Sequence, residues 1–115
     1  MSSLKSRLLA PDVHVEKQVI FGTEVHLRRL TIAELDEYEQ ALKQAQENGS
    51  NTQASLAGAK LILQALSDKA GQAFPAGELP TAEELIATKS TFSLIEALKC
   101  VQQFSYGNLD TAKKN

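Results

Sequence analysis

At 115 residues the chain is long enough for one domain that buries roughly two-thirds of the surface its unfolded form exposes. Hydrophobic residues make up 43% and charged residues 23%, as in ordinary globular proteins, and no apolar run approaches the about 18 residues of a membrane span. A net charge of −2 and a pI near 5.7 argue against nucleic acid as the main partner, since phosphate binding needs a basic footprint.

Residues 1–11 read as a mobile leader ended by Pro11, with an apolar run too short for a signal peptide. The single cysteine, Cys100, excludes an internal disulfide and, with the missing signal, places the protein in a cytoplasm. A single globular domain is expected over 12–107. Val13, Val15, Val19, Phe21, Val25 and Leu27 are all odd-numbered, and this β-branched alternation predicts a hairpin. A Gly22-Thr23 loop would oppose Phe21 to Glu24. A three-residue Gly22-Thr23-Glu24 loop opposes Phe21 to Val25 and Val19 to Leu27, gathers the apolar set on one face, and is preferred. It also sets Lys17 against Arg29, tolerable only if solvated or paired to acids.

An alternating strand then hands over to a helix within a few residues. Thr31 and Glu34 have capping-box spacing, Leu30 and Leu35 stand where a hydrophobic staple would, and acids crowd the first turns at Glu34, Asp36, Glu37 and Glu39. The helix runs over about 32–47 with Ile32, Leu35, Tyr38, Leu42 and Ala45 on one stripe, and Asn48-Gly49-Ser50-Asn51 ends it. A second helix over about 53–68 carries Leu56, Ala59, Ile62, Leu63 and Leu66, widened by Leu61 and Ala65, and is the expected most buried element. Gly58 inside it suggests close approach of the first or the last long helix. A long irregular connection over 68–80 follows, pegged by Phe74 and Leu79. Thr81 and Glu84 repeat the capping box ahead of a short helix to about Thr88. Ser90 or Thr91 caps a last helix bearing Phe92, Ile95, Leu98, Val101 and Phe104, ending near Gly107. A polar tail over 108–115 is expected to be disordered. The fold class is therefore α+β: an N-terminal hairpin followed by about four helices.

Chemistry is sparse. His14 and His26 would stand roughly 20 Å apart along the hairpin and could not share a metal. Phosphate-binding glycine loops, paired cysteines and a nucleophile elbow are missing from the sequence. Glu34, Glu37, Glu83 and Glu84 sit in first helical turns, where dipole and capping account for them. Cys100 reads as a small, partly buried helix residue rather than a nucleophile. No catalysis, metal, cofactor, small-molecule substrate or nucleic acid is expected. Arg28 and Arg29 read first as strand-end arginines pairing with Asp36 or Glu39. Phe104 and Tyr106 leave the last helix together, either as core closure or as a docking point for another chain.

The residues Leu27-Arg28-Arg29-Leu30-Thr31-Ile32-Ala33-Glu34-Leu35-Asp36-Glu37-Tyr38-Glu39, the run Ala57 to Asp68 followed by Gly71 and Phe74, and Leu79-Pro80 ahead of capped helices together resemble the tail assembly chaperones of long-tailed bacteriophages, over about 12–106. The resemblance implies a non-catalytic protein that binds the tape measure protein, assists tail tube polymerisation around it, and leaves before the virion is complete. Arg28 or Arg29, Asp68, Gly71 and Phe74 match the family pattern. Arg28, Arg29, Phe74, Phe104 and Tyr106 are taken as the candidate protein-binding residues, with self-association and an apolar groove between helices expected. Many such proteins exist in two lengths by programmed frameshifting, and Lys113-Lys114-Asn115 fits a slippery A-rich stretch. Rival readings are a structural tail subunit, disfavoured by the helical pattern, and a small regulatory protein-binding or DNA-binding module, the latter disfavoured by acidic or neutral helices.

Overall fold

A tight turn organises the first sheet of the computed structural model, which describes residues 3–10, 14–75 and 77–106. Strands β1 (Val15–Ile20) and β2 (Thr23–Arg28) pair antiparallel through the two-residue turn Phe21-Gly22. Both turn residues have positive φ, 55° and 74°, the twist-matched geometry favoured in two-residue hairpins. This corrects the three-residue loop. Ile20 opposes Thr23, Gln18 opposes Val25 and Glu16 opposes Leu27, so the inward face combines even positions of β1 with odd positions of β2. Val19 lies on the outer face, 65% exposed, opposite Glu24. The physical reason is Ile20, which becomes a buried core residue only in this register. Phe21 bears the cost of its left-handed backbone because its ring packs on the core while the Lys89 ammonium lies 4.9 Å from its centroid. Lys17 accordingly faces His26 rather than Arg29, and its ammonium sits 3.5 Å from Glu24.

Helix α1 (Leu4–Leu8) precedes the hairpin and buries none of its residues. After β2 come α2 (Ile32–Glu47), α3 (Asn51–Ala65), β3 (Leu66–Ser67), α4 (Ala82–Thr88) and α5 (Thr91–Tyr106). The α+β class and the four helices after the hairpin agree with expectation. Both capping boxes form: Thr31 and Thr81 each accept from the backbone N–H three residues on, and Glu34 and Glu84 return the bond. Tyr38 and Ala45 of the α2 stripe are buried, Leu35 and Leu42 half-buried, but Ile32 is 88% exposed. Ser50 caps α3, which carries the buried Gly58, Ala59, Leu61, Ile62 and Ala65 and packs against α2, α4, α5 and β3. A Cβ at Gly58 would stand 3.4 Å from Leu98 Cδ2, so the close neighbour is a side chain of the last helix.

Helix α3 stops before the expected residue 68. Leu66 turns extended, and Leu66-Ser67 adds a short third strand opposite Leu27 and His26, giving the order β1-β2-β3. Asp68 then closes the following turn. Its Oδ1 accepts from the Ala70 and Gln72 amides at 2.8 and 3.0 Å, and Gly71, at φ 84°, donates to the Asp68 carbonyl. The Asp68 and Gly71 of the family pattern therefore serve this turn, with Phe74 and Leu79 half-buried beyond it. Ser90, not Thr91, caps α5 by accepting from the Ser93 amide. The buried face of α5 is Leu94, Ala97, Val101 and Phe104, whereas Phe92 and Ile95 of the expected stripe face outward. Expectations on the 108–115 tail and on Lys113-Lys114-Asn115 lie outside the described residues.

Candidate protein-binding surfaces

The two adjacent arginines act in different directions. Arg28, at the end of β2, forms a two-pronged ion pair with Glu34 of α2: Nη1 to Oε1 at 3.0 Å and Nη2 to Oε2 at 2.7 Å. Glu34 Oε1 also accepts from the Thr31 amide at 2.9 Å, so one carboxylate joins the strand end to the helix cap. The Arg28 guanidinium hydrogen bond holds the Glu34 carboxyl below its ordinary range, against the opposing effect of burial. The expected partners Asp36 and Glu39 are not the ones used.

Arg29 turns to the other end of the molecule's sequence. Its Nε donates to the Phe104 carbonyl at 3.1 Å and its guanidinium lies 5.5 Å from the Phe104 ring centroid. A cation there satisfies a carbonyl in the last turn of α5 and complements the negative end of the helix. The His14 ring tilts against Phe104 with centroids 5.6 Å apart, and the Leu30 amide donates to Ser105 Oγ at 3.1 Å. Phe104 is 8% exposed, so it is core closure in this chain, while Tyr106 one half-turn on is 48% exposed. Arg29 and Phe104 thus come together, a pairing the sequence did not indicate, and Tyr106 leaves the same helix end. Arg28 belongs to the start of α2, and Phe74 sits in the connection after β3.

Sequence reasoning expected a groove but did not locate it. It runs between α2, α3 and α4, with a volume of about 610 Å³. Ala41 of α2, Leu56, Ala57 and Leu63 of α3, and Ala82 of α4 line it with apolar side chains, together with the polar Gln44, Asn48, Gln53, Lys60 and Glu83. A narrower cleft of about 130 Å³ shares Ala41, Ala57 and Lys60 and continues past Glu34, Glu37, Tyr38 and Gln64. The concavity arises from small side chains at three facing positions, Ala41, Ala57 and Ala82. Leu56 and Leu63, seven residues apart on one helix face, stay half-buried and supply apolar contact. Burial and, secondarily, Glu39 raise the pKa of the Tyr38 hydroxyl, which remains a neutral phenol in the cleft. A groove of this size, lined by both apolar and polar side chains, accepts an amphipathic segment rather than a charged strand.

A second apolar feature lies on the outer face of α5, where Phe92, Ile95 and Tyr106 are exposed along one stripe.

Groups suited to chemistry stay apart. His26 lies on the outer sheet face opposite Lys17 and Ser67, His14 stands 3.9 Å from Glu16, and among the described residues no group of three acidic, histidine or cysteine side chains is placed to hold a metal. The Cys100 thiol contacts Gln18 Oε1 at 3.8 Å, and burial pushes its pKa up, the opposite of an activated nucleophile. No helix among the described residues is long and apolar enough to cross a membrane.

Neither the curated proteins nor the solved structures compared with the chain gave a significant match. A family model described as phage tail assembly chaperone protein matches residues 3–115, which is essentially the whole chain. The chain therefore belongs to the phage tail assembly chaperone family.

Proposed function

We propose that this chaperone binds the tape measure protein in the groove between α2, α3 and α4 and releases it as tail tube subunits polymerise around it. The observation that carries this reading is the open groove itself, with Leu56 and Leu63 half-buried beside Ala41, Ala57 and Ala82 in a chain of this family. A tape measure protein is long and helical, and an amphipathic helix laid in such a groove buries its apolar face while Lys60, Glu83 and the glutamines meet its polar flanks. Each contact is small, so several copies along one client hold it by many weak, reversible bonds. The outer stripe of α5 ending at Tyr106 is the second client surface in this reading. Arg29 and Phe104 hold that helix end in place, Arg28 fixes α2, and Phe74 anchors the connection leading to α4. The role requires no catalysis or cofactor and is exercised in the bacterial host cytoplasm before the virion is complete.

Co-expression with the tape measure protein tests the reading. The chain should keep the client soluble and co-purify with it, and Ala41→Glu, which sets a charge in the groove from an exposed helix position, should abolish the complex with circular dichroism unchanged. A client that stays insoluble with the wild-type chain, or that binds Ala41→Glu equally well, would refute it.

A further inference from the structure

Two unsatisfied apolar features occur on the same chain. The first is α1. A five-residue helix is far below the roughly 12–15 residues at which even good helix formers hold together in water, so α1 needs tertiary packing. Yet residues 3–10 are all exposed, with Leu4, Leu8 and Leu9 among the most exposed large apolar side chains described. Ser3 caps the helix, and Leu4 and Leu8, four apart, share one face. The second feature is the α2/α3/α4 groove, open over about 610 Å³ in the same chain.

The two match in charge. The leader over 3–10 carries Lys5 and Arg7 and no acid. The groove and its continuing cleft carry Glu37 and Glu83 against Lys60, Glu34 being neutralised by Arg28. They also match in size, since the groove lies within the roughly 300–1,000 Å³ that encloses a small ligand, enough for two leucine side chains on one helical turn. A single copy leaves both features open at once. We infer that α1 of one copy seats Leu4 and Leu8 in the groove of a second copy when no client is bound. Reciprocal exchange then covers both apolar surfaces in a dimer, in the manner of a swapped terminal element. The pairing makes the groove's empty state soluble. A client displaces the leader from the groove; this last step alone rests on the groove being the client site.

Light scattering across a dilution series tests the pairing with two variants. The wild-type chain should reach twice the 12.5 kDa chain mass. Leu4→Glu/Leu8→Glu, placed on an exposed segment, should keep the wild-type circular dichroism and raise the dissociation constant well over roughly a hundredfold, as expected when two buried leucines are lost from each of the two copies. Ala41→Glu should do the same from the groove side. An equimolar mixture of the two variants should regain paired species, because each supplies the half the other lacks. A wild-type dimer unaffected by either variant overturns the inference. So does a wild-type monomer, and its leader amides then sort the cause: protection from hydrogen exchange that Ala41→Glu removes means the leader seats in its own groove, and no protection means it seats nowhere. The leader variant also separates the two readings. If it is monomeric and fails to bind the tape measure protein, the client reading fails and the pairing stands; if it keeps the dimer mass and binds the client, the reverse holds.

Discussion

Replacing Glu34 with glutamine isolates the charge in the contact that joins the hairpin to α2. Glutamine keeps the shape and can still accept from the Thr31 amide, so the capping box survives. What disappears is the anion that accepts both Arg28 bonds at 2.7 and 3.0 Å. Both side chains are about three-quarters covered, at 27% and 23% exposed, so the pair is screened less than a surface ion pair. Exchanging charge-assisted for neutral hydrogen bonds costs about 1 kcal/mol, and losing a negative charge in the first turn of a helix adds about 0.5 kcal/mol. A loss of roughly 1–2 kcal/mol lowers Tm by roughly 4–8 °C in a chain this short. The pH dependence follows from the depressed carboxyl. A group whose folded pKa lies below its unfolded value contributes all its stability above the unfolded value, and that contribution fades as pH falls through the folded one. Urea denaturation should therefore separate wild type from Glu34→Gln fully at neutral pH and bring the two together in acid, as pH falls through the depressed folded value of Glu34. An undiminished difference in acid, or no difference at neutral pH, would refute the assignment of this stability to the Glu34 charge.

Gly22→Ala should cost about 1–2 kcal/mol in the same assay, because its φ of 74° disfavours a side chain although no atom lies within 4 Å of the added Cβ; Gly22→Asn should cost less. Phe104→Ala should destabilise by about 3–5 kcal/mol as a buried aromatic truncation, whereas Tyr106→Ala should leave the melting curve in place and weaken client binding in a pull-down. Cys100 should react with a thiol reagent more slowly in the folded chain than in urea at the same pH, since burial raises the pKa of its thiol and leaves less thiolate.

Features written in local chemistry were legible in the sequence. Thr31 with Glu34 and Thr81 with Glu84 set two helix starts, because a capping box needs only residues three apart. Leu35, Tyr38, Leu42 and Ala45 followed the 3.6-residue period of α2. Register was less legible: the odd-numbered valines form an attractive apolar set, and only the tertiary burial of Ile20, with a left-handed Phe21, selects the shorter turn. Leu66 continues the helical period of α3, so its switch to a strand depends on pairing with Leu27, a long-range term. In α5 both Phe92/Ile95 and Leu94/Ala97 recur with helical spacing, and the neighbours decide which pair faces inward. The candidate surfaces divide the same way. Arg29 and Phe104 were picked out by residue type and do meet, but the groove is made by what is small at Ala41, Ala57 and Ala82 on three separate elements, and missing volume leaves little mark on a linear pattern.

Hydrogen exchange on the Leu4→Glu/Leu8→Glu chain, whose groove is free of the leader, with and without bound tape measure protein is the most direct test of the groove as the client site. The account predicts new protection in α2 around Ala41, in α3 from Leu56 to Leu63 and at the start of α4, with β1 and β2 unchanged. Protection confined to the hairpin, or none in α2 and α3 while the client is bound, would contradict it.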